Sequence, residues 1–239
     1  NGYSFGGYAW NDPAGSNKKF FPQAYISCQE AVIWCNARSE RENKTPVYYK
    51  DAGFTEILRD KSVGSYSDLH IKPGADGYRV PTPAQWEYAA RGGNPGAAAW
   101  NWRWPADKNL LSSMSASQVN ELWLDKLSVR FDNSIAKFTP ETLEYMWVDE
   151  IRLYDVYDST IQVGILKPNA AGIHDMGGNL HEWTVKTDSF DSSQTITRGG
   201  AFNRDILRSA FDSQREERKW GSSRDVIGLR VLCDVEDEP

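Results

Sequence analysis

The chain has 239 residues and a net charge of −6, a balance that argues against nucleic acid or an anionic membrane as its main partner. It has no apolar run of about 18 residues, so nothing in it reads as a bilayer-spanning helix. Its start at Asn1, without Met or an apolar leader, does not place the protein. Folding at this length hides about 70–75% of the unfolded surface, and 10 Trp, 11 Tyr and 9 Phe predict an aromatic-rich core with aromatics to spare for recognition.

The first clear element begins at Ser27. The run Ser27-Cys28-Gln29-Glu30 is a capping box, in which Glu30 reaches back to the Ser27 amide. Cys28, Ala31, Val32 and Cys35 follow at helical spacing as one apolar stripe. Seven residues apart on a helix, the two cysteines have Cα atoms about 10 Å apart along the axis, too far for a disulfide. Cys233, the third and last cysteine, is left for intermolecular pairing or for no role.

Short strands are expected at 47–49, 77–80, 195–198 and 227–233. Thr82-Pro83-Ala84-Gln85 repeats the capping device with Pro at the first helical position. Trp86, Ala89 and Ala90 form that helix's buried stripe, and Gly92-Gly93 stop it. Another helix start stands at Thr139, inside a 105–163 segment that reads as a helical insertion. Gly, Pro, Asn and Asp punctuate the remainder. The class expected is α+β, with few helices, small antiparallel sheets and much ordered loop, in a single domain over 1–239.

Residues 175–184 read DMGGNLHEWT. Glycine admits a left-handed bend that a Cβ resists, so Gly177-Gly178 is the expected turn. Trp183 and Trp86 are expected in the core. Arg198 and Arg230 are expected to pair with buried acids and carbonyls. His174 and His181 flank acids, yet their spacing matches no helical zinc motif. His70 sits alone in a turn-rich stretch.

Three motifs occur in order: GYRVPTPAQWEYAARGG (77–93), AGIHDMGGNLHEWT (171–184) and TRGGAFN…LRSA…GLRVL (197–232). Together they resemble the formylglycine-generating-enzyme, or sulfatase-modifying-factor, family, a variant of the C-type lectin fold. The resemblance implies a structural calcium ion in the second motif, held by the Asp175 and Glu182 carboxylates and the Gly178 and Leu180 carbonyls. Oxygen donors on an irregular loop suit that ion. The residues alone leave another reading open, in which both acids satisfy loop amides and an arginine without metal. No cofactor is otherwise required. The two histidines stand where the family has aromatic residues.

The family's oxidases use two nearby cysteines after the RGG motif, as copper-binding thiolates. The matching stretch here contains none. Fold does not imply function, and an oxidase is not expected. That stretch instead mixes charges with aromatics, and Arg and Trp are residue types that supply binding hot spots. Its frame resembles the variable proteins of diversity-generating retroelements, treponemal members above all. These vary surface positions by adenine-directed change of Asn codons, which can give Arg, Asp, Ile, Leu, Phe, Ser or Val. Arg204, Asp205, Ile206, Leu207, Phe211, Asp212, Ser213, Ser222, Ser223, Asp225 and Val226 fit that set, whereas Gln214, Glu216, Glu217, Lys219 and Trp220 do not.

The expected function is therefore non-enzymatic binding of a protein or other macromolecule at a cell surface or outside the cell. The expected face spans 202–226, with Arg204, Asp205, Ile206, Leu207, Phe211, Asp212, Ser213, Arg215, Trp220, Ser222, Ser223 and Asp225 as its contact residues. The alternatives are a divergent oxidase of the formylglycine type and a carbohydrate-binding module.

Overall fold

A computed structural model describes residues 2–3, 8–9, 20–97, 100, 160, 162–164, 168–185, 194–201, 215–219 and 227–234, with backbone alone at 8–9, 194 and 215–219. The expected insertion, apart from Thr160 and residues 162–163, and the helix start at Thr139 lie outside these residues.

Two short strands, β1 (Tyr8–Ala9) and β2 (Gln23–Ala24), pair antiparallel and lead into helix α1 (Cys28–Arg41). The Ser27 box is formed as read: the Glu30 amide donates to Ser27 Oγ at 3.1 Å, and the Ser27 amide donates to Glu30 Oε2 at 2.8 Å. The stripe it starts is sealed, since Cys28, Ala31, Val32 and Cys35 are all fully buried. Strand β3 (Tyr48–Tyr49) packs on α1 and pairs antiparallel with β4 (His70–Ile71), so His70 belongs to a strand rather than to a turn.

Helix α2 (Pro83–Ala90) carries the second capping box, with Gln85 and Thr82 exchanging bonds at 3.1 and 3.0 Å. It stops at Gly92 and Gly93, whose φ values of 84° and 70° are left-handed. Trp86, Ala90 and Met176 form a small core of their own. The larger core joins α1 to Tyr48, Leu58, Val80, Trp183 and Ile227. Burying such an aliphatic or aromatic side chain stabilises the fold by about 1.5–3 kcal/mol. The Trp183 indole also donates to the Ile26 carbonyl at 2.8 Å, so its one polar atom is satisfied inside.

The main sheet has four strands in the order β7-β6-β5-β8: β5 (His181–Thr184), β6 (Gln194–Arg198), β7 (Arg215–Lys219) and β8 (Ile227–Gly228). β5 pairs antiparallel with β6, setting Glu182 opposite Arg198, and parallel with β8, setting Glu182 opposite Gly228. Among the described residues, one strand pair in an otherwise antiparallel set of sheets is thus parallel. The expected pieces at 77–80 and 227–233 meet in a single bridge between Arg79 and Leu232.

β7 falls within the 202–226 face, where no strand is expected from the sequence. Arg215–Lys219 is five charged residues with no apolar alternation, so it gives no strand signal. It lies outermost in the sheet among the described residues. Thr195 and Thr197 face Arg218 and Arg215, three steps on β7 against two on β6, so the pair carries a bulge.

Candidate ligand-binding segment and its supporting loop

Of the expected contact residues, Arg215 opens β7. Arg204, Asp205, Ile206, Leu207, Phe211, Asp212, Ser213, Trp220, Ser222, Ser223 and Asp225 lie outside the described residues. What the structure does describe is how the segment is tethered. It leaves the sheet at the end of β6, rejoins it along β7 and rejoins it again at β8.

The departure point is tightly built. Gly199 has φ +89°, and a Cβ there would sit 3.1 Å from the Trp86 ring and 3.3 Å from the Met176 carbonyl. Its own carbonyl accepts the Gly178 amide at 2.6 Å. The RGG turn therefore rests directly on α2 and on the 174–182 loop. Within that loop the left-handed residues are Asp175, Gly178 and Asn179, at φ 57°, 79° and 60°. The bend is thus spread over two Asx residues and one glycine, rather than carried by the Gly177-Gly178 pair. Asp and Asn tolerate that conformation better than other side chains.

Glu182 holds the loop to both neighbours. The Arg230 Nε donates to Glu182 Oε1 and Oε2 at 3.0 and 2.9 Å, and Nη2 approaches Oε1 at 2.8 Å. The Trp86 indole donates to Oε2 at 2.6 Å. Nη2 also donates to the His174 and Asp175 carbonyls at 3.0 and 3.3 Å. Burial of Arg230 pulls its pKa down, but attraction to Glu182 and Asp175 outweighs that and the net shift is upward. Arg198, 3% exposed, lies 3.6 Å from Glu87. Both arginines therefore pair with acids.

Two of the four expected calcium ligands are these acids, and they differ. Asp175 Oδ2 accepts the Gly164 amide at 2.5 Å, while Oδ1 is buried without a partner. Both Glu182 oxygens accept from the guanidinium, and Oε2 also accepts from the indole. As arranged, Glu182 fits a guanidinium rather than a calcium ion. A cavity of about 470 Å³ borders the loop, lined by Pro22, Ile173, Asp175, Leu180, Leu229 and Arg230 among others. His181 is 2% exposed at the head of β5, an interior position consistent with replacement of an aromatic. The sequence shows the acids and the arginines but not their pairing, because Glu182 and Arg230 are 48 residues apart.

The sequence profile of the sulfatase-modifying factor enzyme 1-like domain matches residues 4–235. The chain belongs to that family. A relative in Paenibacillus barcinonensis, named as the chaperone protein LppX, is 29% identical over 203 residues, covering 81% of this chain and 65% of its own length. The chain thus spans less than two thirds of that relative. Among solved structures, CarF superposes with a TM-score of 0.67 at 22% identity, over 98% of this chain and 78% of CarF. Treponema denticola variable protein 1 superposes at 0.61 and 20% identity, over 98% and 77%. These two share the fold, with its few helices, small sheets and long loops. Family membership does not by itself supply an activity. Among the described residues, no helix is long and apolar enough to cross a membrane.

Proposed function

We propose that this chain is a non-enzymatic ligand-binding protein of receptor or adhesin type, displayed at a cell surface, whose recognition face is the segment 202–226. The chain is read as one domain, with 105–163 inserted in it. The observation that carries the reading is the position of the thiols. The chain has three cysteines, and the stretch between Arg198 and Arg230 contains none. Cys28 and Cys35 are fully buried, and burial pushes both thiols well above their usual range. Cys233 follows β8, with its Sγ 3.4 Å from the Asp76 carbonyl. A thiolate-pair copper chemistry has no pair to work with.

The fold shared with a variable protein supports a diversified face, and the rigid anchorage at Gly199 supports side-chain variety at low cost. Exposed substitutions shift stability by under about 0.5 kcal/mol, and side chains on a stiff frame lose less entropy on binding. A relative named as a chaperone supports polypeptide as the ligand class, and the acidic balance speaks against nucleic acid.

The test compares the full chain with an Arg204→Ala, Phe211→Ala, Trp220→Ala variant on arrays of extracellular proteins and of glycans. The expected result is protein binding that the variant loses while its Tm is unchanged. Copper-dependent, thiol-dependent oxygen consumption would overturn the reading in favour of an oxidase. Glycan binding indifferent to the three changes would overturn it in favour of a carbohydrate module. A near-copy of the 3′ coding end, differing only at adenines beside a reverse-transcriptase gene, is the expected genetic signature.

A further inference from the structure

We infer that Arg230 fills a cation seat between the loop before β5 and Glu182 of β5, so that the loop carries its own cation and holds its shape without calcium. Four oxygens surround the guanidinium: both of Glu182, at 2.8 to 3.0 Å, and the His174 and Asp175 carbonyls, at 3.0 and 3.3 Å. A carboxylate with converging main-chain carbonyls on an irregular loop is the donor set that calcium selects. Here a donor set of the same kind, sharing Glu182 with the expected calcium ligands, meets the planar fork of an arginine, which matches a carboxylate bidentately and cannot leave by dilution.

Both Glu182 oxygens face donors. The Arg230 Nε–H is shared between Oε1 and Oε2, Nη2 lies in ion-pair contact with Oε1, and Oε2 also takes the Trp86 indole. A divalent ion at that carboxylate would have to displace one of these donors and would then face the guanidinium at close range, with like charges repelling in a poorly solvated site. Glu182 and Asp175 contribute −2 and Arg230 contributes +1, so Arg230 offsets one of the two negative charges. The position also explains the anchorage. Arg230 lies two residues past the end of β8, and its two carbonyl partners lie on the loop that supports the RGG turn. One side chain therefore ties the return of the 202–226 segment to its departure point.

Terbium alone serves as the probe, because an ion bound at Glu182 would lie beside the Trp86 indole and be sensitised by it. The full-length wild-type chain is expected to give no saturable terbium luminescence. Its Tm is expected to agree within about 1 °C between excess EDTA and millimolar calcium. Arg230→Gln vacates the seat and is expected to gain both saturable terbium luminescence and a calcium-dependent rise in Tm. Saturable luminescence from wild type that is lost in Glu182→Gln or Asp175→Asn overturns the inference. So does a folded Arg230→Gln that stays dark. If Arg230→Gln does not fold, the wild-type arm decides alone: a calcium-dependent Tm rise of about 4 °C or more refutes the built-in cation, and its absence upholds it. The ligand-binding arrays above leave this outcome untouched, so the two ideas fail separately.

Discussion

The indole nitrogen of Trp86 donates to Glu182 Oε2 at 2.6 Å, joining helix α2 to the inner strand β5 across 96 residues of sequence. Both partners are buried, Trp86 to 1% and Glu182 to 9% exposure. Trp86→Phe keeps an aromatic in the small core and removes the donor, leaving a carboxylate oxygen short of a partner. The expected cost is about 1–3 kcal/mol. Glu182→Gln should cost more, about 3–5 kcal/mol, because it leaves the Arg230 charge uncompensated. Urea midpoints at constant m-value measure both. The double variant should fall short of their sum, since the residues share one network.

Asn36 is fully buried on the inner face of α1 and uses its whole amide. Its Nδ2 donates to the Tyr48 and Leu58 carbonyls at 2.7 and 2.9 Å, and its Oδ1 accepts the Val47 and Tyr48 amides at 3.1 Å each. Asn36→Asp turns two donors into acceptors that face carbonyls, and it buries a charge. The expected loss exceeds about 4 kcal/mol. Asn36→Ala takes a partner from four backbone groups, of which the Tyr48 carbonyl keeps the Leu58 amide, for about 3–5 kcal/mol. Denaturant titration should rank Asp below Ala, and the reverse order would refute this account of the site.

Gly77 shows a glycine required by space rather than by backbone angle. A Cβ there would lie 2.2 Å from the Thr45 carbonyl and 2.6 Å from Ser39 Oγ. Ser39 cannot simply turn away, because it donates to the Cys35 carbonyl and accepts the Tyr78 amide, at 2.7 and 2.8 Å. Gly77→Ala is expected to cost about 3 kcal/mol or more as overpacking against backbone. Gly74, at φ +69° with nothing within 4 Å of its missing Cβ, should cost only the left-handed penalty of about 1–2 kcal/mol. Parallel melts of the two variants check the contrast.

Some of this architecture is legible in the chain, and the reasons are local. Ser27-Cys28-Gln29-Glu30 and Thr82-Pro83-Ala84-Gln85 carry their own geometry, so both helix starts are readable. β1, β2 and β4 have two residues each and can show no period. β5 is buried at all four positions, so His181, Glu182, Trp183 and Thr184 do not alternate, and β7 hides behind its charges. The four bonds of Asn36 reach residues 11 to 22 positions away, so they leave no local mark in the sequence. Trp86, Glu182 and Arg230 are each identifiable in the sequence, but only the fold brings an indole, a carboxylate and a guanidinium together.

The buried thiols give the chain a definite alkaline behaviour. Cys28 and Cys35 are both fully buried, and desolvation raises both, since a thiolate inside the core has lost its water. Their folded pKa values therefore lie above the unfolded value of about 8.5. The stability they contribute is fully present below that pH. It declines as pH rises from there toward the folded values, because the unfolded chain releases protons that the folded chain keeps. Each thiol should add a slope of about 1.4 kcal/mol per pH unit in that window. Urea denaturation from pH 8 to 11 should therefore be steeper for wild type than for Cys28→Ala/Cys35→Ala, whatever the offset between them at neutral pH. A thiol reagent applied to the native protein should modify Cys233, which is partly exposed, and should reach the other two only on unfolding. Equal slopes with and without the two core cysteines would mean that they ionise as readily inside the fold as outside it.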